Sequence, residues 1–126
     1  MILVDTSVWV EFLRGKEPCR ADLLRLLEER EVWAVEPVFA ELLQGCRNED
    51  EFDVILGYWN GLPRISPQNL LIKAGEQSWR NRWFSQGVGL ADAAIISAAR
   101  EAQVKIWTLD IRLKKVLKKE ERYGHC

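Results

Sequence analysis

Four acidic side chains mark where this sequence could do chemistry. In "ILVDTSVW" Asp5 directly follows an aliphatic run, and in "IWTLD" Asp110 follows another. Ligands of open parallel sheets bind beyond the carboxyl ends of the strands, so two acids over one such edge are placed to meet a ligand together. Asp92, in "LADAAIISAAREA", falls on a helical wheel beside Ala99 and between Ile95 and Ile96, the apolar side; Ser97, Arg100 and Glu101 take the polar side. A carboxylate on a buried face is unfavourable unless something compensates it. Glu41, in "PVFAELLQG", lies off the centre of the face formed by Val38, Phe39, Leu42 and Leu43, and periodicity leaves it open between site and solvent.

Clustered carboxylates imply a particular chemistry. Two of them ~5 Å apart repel by roughly 3 kcal/mol at an effective dielectric near 20, so three or four together need protons or a cation. Oxygen donors select Mg²⁺ or Mn²⁺, with waters completing the shell. The three cysteines (Cys19, Cys46, Cys126) and the single His125 form no C-x-x-C or zinc spacing. No G-x-x-x-x-G-K-[ST] loop points to a nucleotide triphosphatase. A carboxylate-held magnesium that keeps its waters suits phosphodiester hydrolysis. Each acid also has a local explanation. Asp5 and Asp110 fit as N-caps, worth about 1 kcal/mol each. Asp92 fits as a first-turn acid reaching back to Gly89 or Leu90. His125 and Cys126 read as a frayed tail rather than a metal pair.

The elements that must carry these acids alternate. "MILV", "VWAV", a short piece around Arg64 and Ile65, and "VKIWTL" read as strands. Between them lie helices over "TSVWVEFLRG", with Thr6 or Ser7 as cap and Gly15 as stop, and over "CRADLLRLLEER". Further helices follow over "PVFAELLQG", opened by Pro37 and closed by Gly45, "EDEFDVILGYW", "QNLLIKAGEQSWRNRWF", "LADAAIISAAREA" and "IRLKKVLKK". In the last of these Leu113, Val116 and Leu117 point inward. The strands are apolar throughout, as expected when helices cover both faces of a parallel sheet. The fold class is therefore α/β, an α/β/α sandwich around a small central parallel sheet. At 126 residues, 48% hydrophobic and 29% charged, one ordinary globular domain is expected. No apolar run reaches the roughly 20 residues of a membrane helix, no secretory pattern opens the chain, and the cysteine usage fits a reduced cytoplasm.

Taken in order, "ILVDTSVWVEFLRG", "PVFAELLQG", "GLADAAIISAA" and "WTLD" resemble a PIN domain, specifically a VapC-type toxin ribonuclease, from Met1 to about Leu117. The resemblance implies a single PIN-like nuclease domain over residues 1–126 and a three-layer α/β/α sandwich. It implies a metal-dependent endoribonuclease, the toxin of a toxin–antitoxin pair, whose VapB-type antitoxin partner covers the site with its C-terminal segment. Asp5, Glu41, Asp92 and Asp110 would form the acidic quartet that binds Mg²⁺ or Mn²⁺. Ser7 would support the cluster, with Thr6 ranked below it as a turn or cap residue. One departure stands out. Many relatives continue after the last aspartate as D-x-D-F, whereas here Arg112 and Leu113 replace the second acid and the aromatic, which leaves Asp110 with the weakest support of the three aspartates.

Two other readings compete. A receiver-like signalling domain would want a second acid directly after the first strand and a lysine ending a late strand; Thr6 and Asp110 stand there instead. A catalytically silent binding domain would keep the acids as caps. An RNA substrate needs phosphate contacts, for which Arg14, Arg80, Arg82, Lys114 and Lys115 are candidates, while Lys118 and Lys119 fit a solvated face. Residues 1–63 hold 6 Lys/Arg against 13 Asp/Glu, and residues 64–126 hold 12 against 6. Such an asymmetry suits a protein that holds cations in one place and a polyanion nearby. Finally, Ile72, Trp79 and Trp83 make an apolar stripe beside Leu70, Leu71 and Ala74, wide enough to serve the core and also a second subunit, hence an expected homodimer.

Overall fold

In the computed structural model, which describes residues 1–124, four short strands make one parallel sheet in the order β3-β2-β1-β4. Strand β1 (Ile2–Val4) lies between β2 (Val32–Val35) and β4 (Lys105–Trp107), and β3 (Arg64–Ile65) closes the edge beside β2. All three residues of β1 are buried, so the run "ILV" is apolar because helices cover both of its faces. Leu3 and Val4 each contribute roughly 1.5–3 kcal/mol by that burial.

The crossovers are helices. Helix α1 (Thr6–Leu13) buries Val8 and Trp9, the latter packed against Phe12, Phe39 and Tyr58. It ends at Gly15, whose φ of +71° favours a residue without a side chain. Then come α2 (Cys19–Glu28), α3 (Glu36–Gln44) and α4 (Glu49–Gly61). Asn48 caps α4, its side chain accepting from the Glu51 N–H ahead of three first-turn acids. Helices α5 (Leu70–Asn81) and α6 (Leu90–Ala102) pack along each other, and α7 (Ile111–Val116) follows β4 with Leu113 buried. Residues Ala93 to Ala99 are all buried, which makes α6 an internal helix whose alanines admit its neighbours closely.

Three expectations are corrected. Neither Thr6 nor Ser7 caps α1; both lie inside its first turn and Asp5 holds the cap position, without a side-chain capping bond. Ser97 is buried rather than solvated, because α5 covers that side and its hydroxyl donates to Gln77. The stripe on the long helix splits. Arg82 takes a left-handed conformation and ends α5, so Trp83 turns into the core under Arg100 while Ile72 and Trp79 stay exposed. Leu71, placed on the inner face by its spacing, is exposed as well. His125 and Cys126 lie outside the described residues.

Candidate active site

The register of the central strands builds the site. Val4 pairs with Trp107, so the next residues out, Asp5 and Thr108, stand side by side where the ladder ends. Asp5 is buried at 3% exposure, and its backbone N–H donates to the Trp107 carbonyl at 2.9 Å. Its Oδ2 accepts two hydrogen bonds, from Thr108 Oγ1 at 2.6 Å and from Ser7 Oγ at 2.9 Å. These hydroxyls stabilise a buried carboxylate without neutralising it. Oδ1 receives no hydrogen bond among the described residues.

Both hydroxyls do further work. Ser7 Oγ accepts the Leu109 N–H at 3.0 Å, and Thr108 Oγ1 accepts the Asp110 N–H at 3.0 Å. The start of α1 and the segment after β4 are thus joined around Asp5. Thr108 joins the site without being among the candidates that residue type and spacing select. A threonine two residues before an aspartate is a turn signal that accounts for its bond to the Asp110 N–H but not for its bond to Asp5.

Glu41 reaches the site from the second turn of α3, where Thr6 Oγ1 donates to its Oε1 at 2.9 Å. Thr6 therefore steadies a candidate ligand rather than a turn. Asp110 does cap α7, its Oδ1 accepting the Arg112 N–H at 2.8 Å, and the Arg112 Nε lies 3.7 Å from the same oxygen. Asp92 is half-buried near the start of α6, and neither Gly89 nor Leu90 hydrogen-bonds its side chain. Burial, then the charges of Asp5, Asp110 and Glu41, push its carboxyl up to about 6, against a smaller opposing pull from Arg112. The four acids thus share one electrostatic field. As positioned, no three His, Cys, Asp or Glu side chains among the described residues are close enough to grip one ion.

Beside Thr6 and Glu41 a cleft of ≈ 340 Å³ opens between α1, α3 and α4, lined by Val10, Leu13, Leu42, Val54 and Ile55 with Arg14 at its rim. Lys114 and Lys115 lie on α7, just beyond Asp110. Arg80 and Arg82 end α5, and no hydrogen bond or ion pair ties them to the acids among the described residues.

The sequence model of the PIN domain matches residues 2–119, a span that contains all four acids. This chain is a PIN-domain protein. Ribonuclease VapC32 of Mycobacterium tuberculosis is 36% identical over 118 residues, 90% of this chain and 88% of its own length. This PIN domain therefore belongs with the VapC ribonucleases, and a receiver-like identity is set aside. VapC ribonuclease Mb1587 of Mycobacterium bovis is 35% identical over 69 residues, 52% of each chain. Among solved structures, VapBC2 from Rickettsia felis, bound to a DNA fragment from its promoter, superposes with a TM-score of 0.69 at 19% identity, covering 92% of this chain and 93% of that one. FitAcB from Neisseria gonorrhoeae gives 0.60 at 19% identity over 90% of both chains. These likenesses confirm the PIN-like α/β fold, with helices on both faces of a parallel sheet.

Proposed function

We propose that this PIN domain is a metal-dependent endoribonuclease, the toxin of a toxin–antitoxin pair, and that Asp5, Glu41, Asp92 and Asp110 hold its Mg²⁺ or Mn²⁺. The observation that carries this reading is the meeting of four acids, from the end of β1, from α3, from α6 and from the start of α7, in a PIN domain 36% identical to a VapC ribonuclease; burial and the other three acids push the Asp92 carboxyl up accordingly. A domain maintains such mutual repulsion at a site where a cation relieves it. Donors that are all oxygen fit a hard divalent ion, which Asp5, Glu41, Asp92 and Asp110 would hold. When bound, the ion lowers the pKa of water and neutralises charge gathering on phosphate oxygens.

The chain's own groups prepare that role. Ser7 and Thr108 fix one oxygen of Asp5 and leave the other for coordination. Thr6 restrains Glu41, whose flexible side chain would otherwise sweep solvent. The apolar cleft beside Glu41 suits the C-terminal segment of a VapB-type antitoxin, which would cover the acids and exclude RNA. Exposed Leu71, Ile72 and Trp79 on α5 support a homodimer, which a monomer at micromolar concentration in light scattering would refute. Among the described residues no helix is long and apolar enough to cross a membrane.

The test compares cleavage of RNA in Mg²⁺ or Mn²⁺, in EDTA, and by Asp5→Asn and Asp92→Asn. Cleavage should require the divalent ion and fall by two orders of magnitude or more in both variants while circular dichroism stays native. Normal cleavage by either variant would sink the shared site. Unfolding of both would favour a structural role for the acids in a silent binding domain.

A further inference from the structure

Arg112 lies on α7 two residues after Asp110, and its surroundings are built. The side chain is 67% exposed, yet it is held at two points. Its Nε faces Asp110 Oδ1 at 3.7 Å, an ion-pair distance too long for a hydrogen bond. Its stem lies against Gly87, the left-handed turn residue (φ +84°) before α6. A Cβ at Gly87 would stand only 2.8 Å from Arg112 Cδ, so the glycine provides the space the stem occupies. The two terminal amino groups make no hydrogen bond among the described residues.

An exposed cation so restrained at the rim of an acidic cluster has a use. Lysines or arginines on flexible stems lose rotamer entropy on meeting a ligand, and a stem already lodged loses less. The guanidinium fork matches the two free oxygens of a phosphodiester. A polyanion approaching four carboxylates also needs a positive group beside them.

We propose that Arg112 is a phosphate-binding residue of this site, pinned by Gly87 and Asp110 so that its amino groups take a backbone phosphate of single-stranded RNA next to the acidic cluster. The proposal rests on the ribonuclease reading above and adds a substrate contact to it.

The experiment measures binding of a short fluorescent oligouridylate by anisotropy, in EDTA so that cleavage does not intervene, over a series of NaCl concentrations. Arg112→Ala should weaken binding roughly five- to tenfold and make the slope of log K against log salt shallower by about 0.7, the value for one lost single-strand phosphate contact. Arg112→Lys should keep the slope and lose part of the affinity, because the charge remains and the fork does not. Gly87→Ala, which displaces the stem, should fall between wild type and Arg112→Ala. Lys105→Gln, the same charge change at the opposite end of β4, should leave the slope as it is.

If Arg112→Ala binds with the wild-type slope while its Mn²⁺ affinity, read by electron paramagnetic resonance, rises, Arg112 serves only as a counter-ion to Asp110 and the proposal is overturned. If slopes fall equally for Arg112→Ala and Lys105→Gln, the effect is net charge and the proposal again fails. A wild-type chain that neither binds the oligonucleotide nor cleaves RNA in Mg²⁺ overturns the ribonuclease reading itself. Wild-type cleavage with an unchanged Arg112→Ala slope removes Arg112 alone.

Discussion

Asp5 is the most deeply placed of the acids, and its neighbours explain how a carboxylate survives there. Two hydroxyls donate to one of its oxygens, and one comes from Thr108, 103 residues away in the chain. Replacing Thr108 by valine keeps the shape and removes the donor, leaving a buried charge short of a partner. The expected cost is about 1–3 kcal/mol in urea denaturation, and a change below 0.5 kcal/mol would show that Ser7 alone suffices. Asp92 makes a different prediction. In the unfolded chain it ionises near 3.8, whereas in the fold burial and the three neighbouring acids hold it at about 6. Between those values the native state keeps the extra proton, so stability falls as pH rises through this window and the penalty is constant above it. In EDTA, Asp92→Asn should therefore be more stable than wild type by about 1 kcal/mol near neutral pH, after discounting for solvent screening of a half-exposed group. Below about pH 4 the two should coincide. A difference in melting temperature that does not change with pH would show that the asparagine acts through packing instead.

Among the elements, α5 departs furthest from its pattern in the sequence. Spacing puts Ile72, Trp79 and Trp83 on one stripe, but a helix wheel assumes the helix continues. Arg82 stops it in a left-handed turn, and the two tryptophans part: Trp79 is 82% exposed and Trp83 only 3%. Trp83→Ala should cost about 3–5 kcal/mol, as truncations of buried aromatics do, while Trp79→Ala should cost less than about 0.5 kcal/mol within one subunit. If α5 forms the dimer contact, Trp79→Ala should also shift the species seen by light scattering towards monomer. Similar losses of stability in both variants would show that the stripe is not divided. Helix α6 read more faithfully, because its alanines and isoleucines mark an apolar side whatever covers it. The wheel still set Ser97 towards solvent, since only the packing of α5 reveals a second buried face.

Across the whole molecule, the charge asymmetry between the chain's halves does not divide the site. The acidic half contributes Asp5 and Glu41, and the basic half contributes Asp92, Asp110 and the nearby Arg112. Folding interleaves the two so that anions and a cation meet at one edge of the sheet. The alternation of strands and helices, the parallel sheet and the place of Asp5 at the end of β1 were readable in the chain, because strand-end placement is a property of adjacent residues; Asp110 stands three residues beyond β4, at the cap of α7. Resemblance to the PIN family added Glu41, which periodicity had left undecided. Contacts that depend on register between distant strands were not readable: Thr108 reaches Asp5 only because Val4 of β1 pairs with Trp107 of β4 one residue earlier. Nor was Thr6 on Glu41, or Arg112 against Gly87, since each requires the angle at which one helix or turn meets another. Local sequence carries the elements and the side chains they place at their ends. The distances among those ends arise when the core closes, because packing and strand register alone fix them.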